Sequence, residues 1–152
     1  MFPFKKILCP TDFSEAALCG VKMAREMAVR FDSEVILLNV HKPIPHLPAP
    51  RAGASDITFD VTGYEKAIIA ESEHSLAEIR DEFLSDVVKT TLMVHIGHPY
   101  KGILQVAEEQ NVDAIFMATH GRTGLSKIMF GSTAQRVLRR ATCPVMSIRS
   151  CP

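Results

Sequence analysis

The chain lacks an excess of charge of either sign, because 17 lysine and arginine residues balance 17 aspartate and glutamate residues. This balance disfavours a nucleic acid or an acidic membrane surface as a partner. The sequence also has no run of about 18 apolar residues and no apolar start long enough for a signal peptide. We therefore expect a cytoplasmic, non-membrane protein that folds as a single domain over residues 1–152.

Metal-binding patterns are also missing from the sequence. No C-x-x-C pair and no spacing typical of zinc sites occurs among the four cysteines, which are Cys9, Cys19, Cys143 and Cys151. Cys9 falls in an apolar run, where cysteine usually acts as a small buried hydrophobe. His41 and His46 belong to a proline-rich loop, and unpaired histidines in such a loop are more often exposed to solvent than metal ligands. We therefore predict no metal site built by the protein alone.

Apolar runs alternate with helical periodicities along the chain. The runs predict buried strands within residues 4–10, 34–40, 87–96, 114–118 and 145–149. The segments between them predict helices that begin near Ser14, Gly63, Pro99 and Ser132, whereas the proline-rich stretch 41–62 predicts a long loop. Strand, helix and strand in such short succession form a parallel crossover unit, so the pattern predicts an α/β protein.

The fourth predicted strand leads through a glycine-bearing loop to the last predicted helix. Glycine lets a ligand approach the backbone without meeting a Cβ, and the glycines of this loop are Gly121, Gly124 and Gly131. A helix start adds unpaired N–H groups and the positive end of the helix dipole. This arrangement is typical of an anion site, although glycines also mark ordinary strand-to-helix connections.

Ser132 is placed to cap that helix, with Gln135 in the second position of a capping box. Apolar Ala134, Val137, Leu138 and Ala141 follow at helical spacing, which predicts an inward face. The hydroxyls of Ser132 and Thr133 and the first-turn N–H groups suit phosphate oxygens, and Arg122 adds positive charge nearby. The loop matches neither G-x-G-x-x-G nor the Walker lysine pattern, so those two nucleotide-binding folds are not indicated.

Asp12 follows the first predicted strand, and Ser14 is a good N-cap for the next helix. An Asp-x-Ser turn often does no more than shape the backbone. Ligands of open parallel sheets, however, bind outside the carboxyl ends of strands, and both Asp12 and Ala118 fall at such ends. If the two strands are neighbours, the Asp12 carboxylate faces the glycine loop, and both interpretations stay open.

The pattern Ala118-x-x-Gly121-x9-Gly131-Ser132 resembles the nucleotide-binding signature of the universal stress protein family. That signature is glycine, two residues, glycine, nine residues, glycine, and then serine or threonine. One residue departs from it, because Ala118 stands where the family has its first glycine. The resemblance covers nearly the whole chain and includes the segments at 7–14, 97–99 and 143–145.

This resemblance implies a three-layer α/β sandwich, with a five-stranded parallel sheet in the order 3-2-1-4-5 and helices on both faces. It implies a stress-response homodimer that binds ATP, ADP or AMP, with or without Mg²⁺, and that pairs through its last strand at 144–149. The residues that it places at the nucleotide are Pro10, Thr11, Asp12, Val40, Met117, Ala118, His120, Gly121, Arg122, Gly124, Gly131, Ser132 and Thr133.

Efficient catalysis is not expected from this sequence. No general base or phosphate-activating lysine is evident, so slow ATP hydrolysis is the most that we predict. His95 and His98 have no serine or cysteine nucleophile at a recognisable elbow, which favours a structural role for both. A hydrolase using His120 with Asp12 remains a further hypothesis. The alanine at position 118 also keeps open a nucleotide-free dimeric interaction module of the same fold.

Overall fold

The computed structural model describes residues 3–43, 60–84, 87–119, 131–149 and 151. Within them the strands are β1 (Lys6–Pro10), β2 (Glu34–His41), β3 (Thr90–Ile96), β4 (Ala114–Ala118) and β5 (Val145–Ile148). The α-helices are α1 (Glu15–Phe31), α2 (Val61–Ile79), α3 (Pro99–Glu109) and α4 (Ser132–Arg140), and α2 runs into a π-helical turn at Arg80–Leu84. Each predicted strand and helix is therefore present.

The strands form one parallel sheet in the order β3-β2-β1-β4-β5, which confirms the expected fold. Leu8 at the centre of β1 pairs with Ile36 of β2 on one side and with Ile115 of β4 on the other. Because β1 and β4 are parallel neighbours, the turns that follow Pro10 and Ala118 leave the sheet at the same edge. Asp12 was expected to face the loop after β4 only if β1 and β4 are neighbours, and this condition is met.

Two apolar clusters hold the helices to the two faces of the sheet. Alternate strand residues such as Ile7 and Phe116 pack against α1 and α2, whereas Leu8 and Ile115 pack against α3 and α4. Each of these side chains is fully buried, and burying one contributes about 1.5–3 kcal/mol. The sequences of the strands are therefore continuously apolar, because helices cover both faces of the sheet.

The structure confirms one predicted helix cap and corrects another. The hydroxyl of Ser14 accepts the N–H of Ala17 at 3.2 Å, as expected for the N-cap of α1. The assignment of Ser132 as the N-cap of α4 was wrong. Gly131 is the N-cap, because its carbonyl already accepts the N–H of Gln135 at 3.0 Å, and within the described ranges no side chain caps the helix.

Other departures concern boundaries and one helix face. α2 begins at Val61, ahead of the expected start at Gly63, because the Asp60 carboxylate accepts the N–H of Gly63 at 2.9 Å. Leu138 was expected to pack inward but is 38% exposed, since the short α4 buries only Ala134 and Val137. Residues 44–59 of the predicted loop lie outside the described residues. No described helix has the length and apolar character to cross a membrane.

Candidate functional site

A cavity of about 560 Å³ opens at the carboxyl edge of the sheet. Its walls come from the ends of β1, β2 and β4 and from the starts of α1, α3 and α4. Its volume is in the range of small-molecule sites. The structure brings the following predicted residues together in its lining: Pro10, Thr11, Asp12, Val40, Met117, Ala118, Gly131, Ser132 and Thr133. The predicted residues His120, Gly121, Arg122 and Gly124 lie outside the described residues.

The turn between β1 and α1 is held by its own side chains. The Thr11 hydroxyl accepts the N–H of Phe13 at 3.0 Å, and Phe13 adopts a left-handed backbone with φ of 65°. Oδ1 of Asp12 accepts both the N–H and the hydroxyl of Ser14, at 3.1 and 2.6 Å. The turn-shaping role considered for Asp12 is therefore real, and the same carboxylate also lines the cavity.

Asn39 of β2 fastens this turn from the neighbouring strand. Its side-chain amide donates to the carbonyl of Thr11 at 2.8 Å, and the residue is only 4% exposed. Among the described residues its Oδ1 is a buried side-chain oxygen without a hydrogen-bond partner, and Asn39 contributes to the cavity lining. Sequence reasoning missed this residue. The signal was a single polar residue inside the apolar second strand, where buried polar groups normally serve a hydrogen bond.

The opposite wall is the connection from β4 to α4. The N–H of Thr119 donates to the carbonyl of Ile148 in β5 at 2.9 Å, and the N–H of Gly131 donates to the carbonyl of Thr119 at 2.7 Å. These bonds place the first turn of α4 at the cavity, where Ser132 and Thr133 contribute to the lining. The first N–H groups of an α-helix have no partner within the helix, and no side chain of the described residues caps α4. This wall is therefore suited to an anion.

Ala118 fits its position without backbone strain. The non-glycine residues with positive φ in the described part of the chain are Phe13, Asp32 and Asn111, so Ala118 keeps ordinary strand geometry as the last residue of β4. Strand alternation places it on the same face as Phe116, which is the face that α1 covers. The methyl group that distinguishes this chain from the family pattern therefore carries no conformational penalty.

His41 and Lys42 bring ionisable side chains to the end of β2 at the cavity. The Ser72 hydroxyl donates to the carbonyl of Ile68 in α2 at 2.9 Å, so Nε2 of His41, 2.6 Å from that oxygen, acts as the donor. His41 thereby ties the end of β2 to α2. His46, the other histidine considered as a metal ligand, lies outside the described residues. Lys42 is exposed and is the basic residue among the described cavity-lining residues.

His95 and His98, considered as a catalytic pair, are absent from the described lining of the cavity. His95 pairs in register with Val40 and lies against α3, where a Cβ added to Gly102 would come within 2.7 Å of its ring. The same Cβ would come within 2.9 Å of the Val40 side chain, which does line the cavity. Gly102 thus lets α3 approach the sheet closely behind this wall.

Known proteins resemble this chain along almost its full length. The sequence model of the universal stress protein family matches residues 3–149. Universal stress protein MJ0531 of Methanocaldococcus jannaschii is 32% identical over 146 residues, which are 96% of this chain and 82% of that protein.

Solved structures agree in fold with this chain. The structure of protein MJ0577, described as a structure-based assignment of biochemical function, has a TM-score of 0.81 and 29% identity over 98% of both chains. A universal stress protein of Archaeoglobus fulgidus, solved in complex with dAMP, has a TM-score of 0.63 and 20% identity over 98% of this chain and 100% of its own. With the family match extending over both walls of the cavity, the chain belongs to the universal stress protein family.

Proposed function

We propose that the cavity binds an adenine nucleotide, namely ATP, ADP or AMP, in a single domain that spans residues 1–152. The observation that carries this proposal is the first turn of α4, which lines the cavity and begins at a glycine N-cap, with no capping side chain among the described residues. An uncapped helix N-terminus offers N–H donors and a positive dipole end to phosphate oxygens. The dAMP complex of the Archaeoglobus fulgidus relative supports an adenine nucleotide as the occupant of this fold.

We assign a role to each predicted residue, and for the residues that line the cavity this role follows from the wall on which they lie. Ser132 and Thr133 hold phosphate oxygens through their N–H groups and hydroxyls, and Gly131 lets the ligand approach the backbone. Asp12 accepts hydrogen bonds from ribose hydroxyls or holds Mg²⁺ between itself and the phosphates. The remaining residues border the base and complete the phosphate wall, namely Pro10, Thr11, Val40, Met117, Ala118, His120, Gly121, Arg122 and Gly124.

The proposal includes a homodimer formed through residues 144–149. β5 is an edge strand of the sheet, and edge strands leave backbone groups available for pairing with another chain. Met146 is 38% exposed on this strand, beside a groove of about 330 Å³ lined in part by Phe4 and Phe116. Sedimentation equilibrium of the wild type should give a dimer mass, and Met146→Lys should shift it toward the monomer. A monomeric wild type would remove this part of the proposal.

We place the protein in the cytoplasm as a nucleotide-binding stress-response factor, with at most slow ATP hydrolysis. The Ser72 hydroxyl, which lies beside the cavity-lining His41, is buried and donates to a backbone carbonyl, so it is not placed as a nucleophile. Binding, rather than turnover, is therefore the activity to measure first. Phosphate release that disappears in His120→Ala would instead support a hydrolase that uses His120 with Asp12.

A thermal-shift titration tests nucleotide binding directly. A ligand at 100 times its dissociation constant stabilises the folded state by about 2.7 kcal/mol. For a chain of this size each kcal/mol raises the Tm by about 2–4 °C. We expect a clear rise with millimolar ATP, ADP or AMP, with Mg²⁺ present or absent, and a smaller rise with inorganic phosphate. No rise with any of the nucleotides would favour the nucleotide-free interaction module.

A further inference from the structure

The cysteines fall into two chemically different pairs. Cys19 of α1 and Cys151, which follows β5, form a disulfide with their Cα atoms 5.1 Å apart, and both residues are partly exposed. Cys9 is fully buried, and burial raises the pKa of its thiol to about 12. Burial also raises the pKa of the Cys143 thiol. Because the thiolate is the reactive form, Cys9 and Cys143 are disfavoured as reactive thiols.

The disulfide joins two segments that enclose the carboxyl end of β4. Gly20, the neighbour of Cys19, lies so close to β4 that an added Cβ would be 3.6 Å from the nitrogen of Ala118. On the other side, Ile148 of β5 pairs with Ala118 and accepts the N–H of Thr119 at 2.9 Å. When the bond is formed, α1 is thus joined covalently to the segment that follows β5, and the end of β4 at Ala118 lies between them.

The enclosed segment is the wall of the cavity that leads into α4. Ala118 and Thr119 line the cavity, and the carbonyl of Thr119 accepts the N–H of Gly131 at 2.7 Å. A chain of hydrogen bonds therefore runs from Ile148 through Thr119 to the first turn of α4. If the end of β5 becomes more mobile, Ile148 holds the N–H of Thr119 less firmly. Thr119 then holds Gly131 less firmly, because its carbonyl accepts the N–H of Gly131.

We propose that Cys19 and Cys151 form a reversible redox site whose oxidised state holds the α4 wall of the cavity in place. A low-molecular-weight disulfide such as glutathione disulfide is the oxidant. The thiolate of one cysteine attacks it, which forms a mixed disulfide and releases one thiolate. The second cysteine then displaces the other thiolate, so two protein thiols are oxidised and one external disulfide is reduced to two thiols. In a reducing compartment such bonds are usually transient and redox-sensing.

A ligand-independent measurement tests the coupling first. Wild-type protein is oxidised with glutathione disulfide or reduced with a phosphine, and alkylation with mass spectrometry identifies the joined cysteines. Hydrogen exchange at the N–H groups of Thr119 and Gly131 should be about tenfold faster in the reduced form. Cys19→Ser and Cys151→Ser should each exchange like reduced protein under both conditions. Cys143→Ser is the matched control and should keep the wild-type difference between the two conditions.

A second arm rests on the proposed nucleotide binding. Reduced wild type and Cys151→Ser should bind ATP about fivefold more weakly than oxidised wild type, because a looser wall is less pre-organised. Absence of the Cys19–Cys151 bond after oxidation, or unchanged exchange at Thr119 and Gly131 when it is broken, would overturn the redox site. Faster exchange in protein that binds no nucleotide in either state would leave the redox site standing and remove the proposed function.

Discussion

Two helices, α1 and α4, begin at the same edge of the sheet and line the same cavity, but their N-termini are completed differently. At α1 the Ser14 hydroxyl accepts the N–H of Ala17, and Asp12 accepts both the hydroxyl and the N–H of Ser14. At α4 the N-cap is Gly131, which has no side chain to serve the first turn. The two helices therefore offer the cavity different chemistry.

This difference separates a structural turn from a candidate binding surface. When a side chain caps the start of a helix, some of the first-turn N–H groups already have an acceptor, and the cap stabilises the helix by about 1 kcal/mol. A start without a cap keeps its donors and its positive dipole end for solvent or for an anion. α1 thus anchors Asp12 in place, whereas α4 provides the groups that a phosphate would contact.

The largest effect should come from adding a capping side chain at Gly131, the N-cap of α4. Gly131→Asp places a carboxylate at the N-cap, where it serves the first-turn N–H groups and repels phosphate. The backbone of Gly131, at φ −58° and ψ 145°, is accessible to any residue. We expect ATP affinity measured by calorimetry to fall by about 100-fold, equivalent to about 2.7 kcal/mol.

Gly131→Asn is the matched control, because it offers a cap of nearly the same shape without the charge. It should weaken ATP binding by much less than Gly131→Asp does. Equal losses in the two variants would mean that the side chain blocks the cavity by its size alone. Unchanged affinity in Gly131→Asp would remove α4 as the phosphate-binding element.

A second contrast between the two helical layers concerns their glycines. A Cβ on Gly102 of α3 would lie 2.9 Å from the Val40 side chain, whereas a Cβ on Gly20 of α1 would make ordinary contacts of 3.6 Å with β4. We expect Gly102→Ala to lower the free energy of unfolding by about 1–3 kcal/mol, as overpacking does. Gly20→Ala should be neutral or gain up to about 1 kcal/mol from helix propensity.

Chemical denaturation of both alanine variants measures this difference. Because Val40 lines the cavity and Gly20 is not among its described lining residues, Gly102→Ala should also weaken ATP binding, whereas Gly20→Ala should not. Equal stability of the two variants would show that α3 can move away from the sheet without cost.

The two serines at the helix starts provide the sharpest test of capping against ligand binding. Ser14→Ala removes the cap of α1 and should cost about 1 kcal/mol, which lowers the Tm by about 2–4 °C. Ser132→Ala removes a hydroxyl that caps nothing among the described residues, so its Tm should stay within about 1 °C of the wild type.

Nucleotide affinity should show the reverse pattern. Ser132→Ala should weaken ATP binding several-fold, by about 1 kcal/mol for one lost hydrogen bond, whereas Ser14→Ala should change it little. A Tm loss in Ser132→Ala as large as that in Ser14→Ala would restore the capping role that the sequence suggested for Ser132.

The order of the strands was expected from the resemblance to the universal stress protein family, whereas the strands, the helices and the turn at Asp12 were predicted from apolar runs, glycines and short spacings, which are local signals. Ser14 was identified as a cap for the same reason: its turn is short and its partner is close in the chain. Ser132 has an equally good local pattern, but the carbonyl of Gly131 takes the first helical bond and shifts the cap by one position. The local sequence pattern cannot decide which of two adjacent residues is the N-cap of a helix.

The features that sequence reasoning missed depend on contacts between distant segments. Asn39 meets Thr11 only because β2 lies beside β1, and no spacing in the chain links them. The Cys19–Cys151 bond joins residues separated by 132 positions, and it needs both the last strand and the first helix at the same side of β4. Pairings of this kind follow from the assembled sheet, so a scan for cysteine motifs does not detect them.

The smallest effect is expected from a substitution at the amino edge of the sheet, which is the edge opposite the cavity. Glu34 at the start of β2 accepts hydrogen bonds from the Thr91 hydroxyl at 2.7 Å and from Lys89 at 3.1 Å. The Thr91 hydrogen bond, with a smaller contribution from Lys89, lowers the pKa of the Glu34 carboxyl. Glu34→Gln should therefore cost about 0.5–1 kcal/mol at pH 7.

The pH dependence has a definite sign. A carboxyl whose pKa is lower in the folded state stabilises the protein above its unfolded-state pKa, which is about 4.3 for glutamate. The difference between wild type and Glu34→Gln should therefore persist from pH 7 to pH 5 and shrink as the pH falls through the lowered folded-state pKa. Glu71→Gln, at an exposed position on α2, is the control and should stay within about 0.5 kcal/mol throughout. ATP affinity should be unchanged in Glu34→Gln, because the proposed site lies only at the carboxyl edge of the sheet. A several-fold loss of ATP affinity would mean that the binding site extends across the sheet.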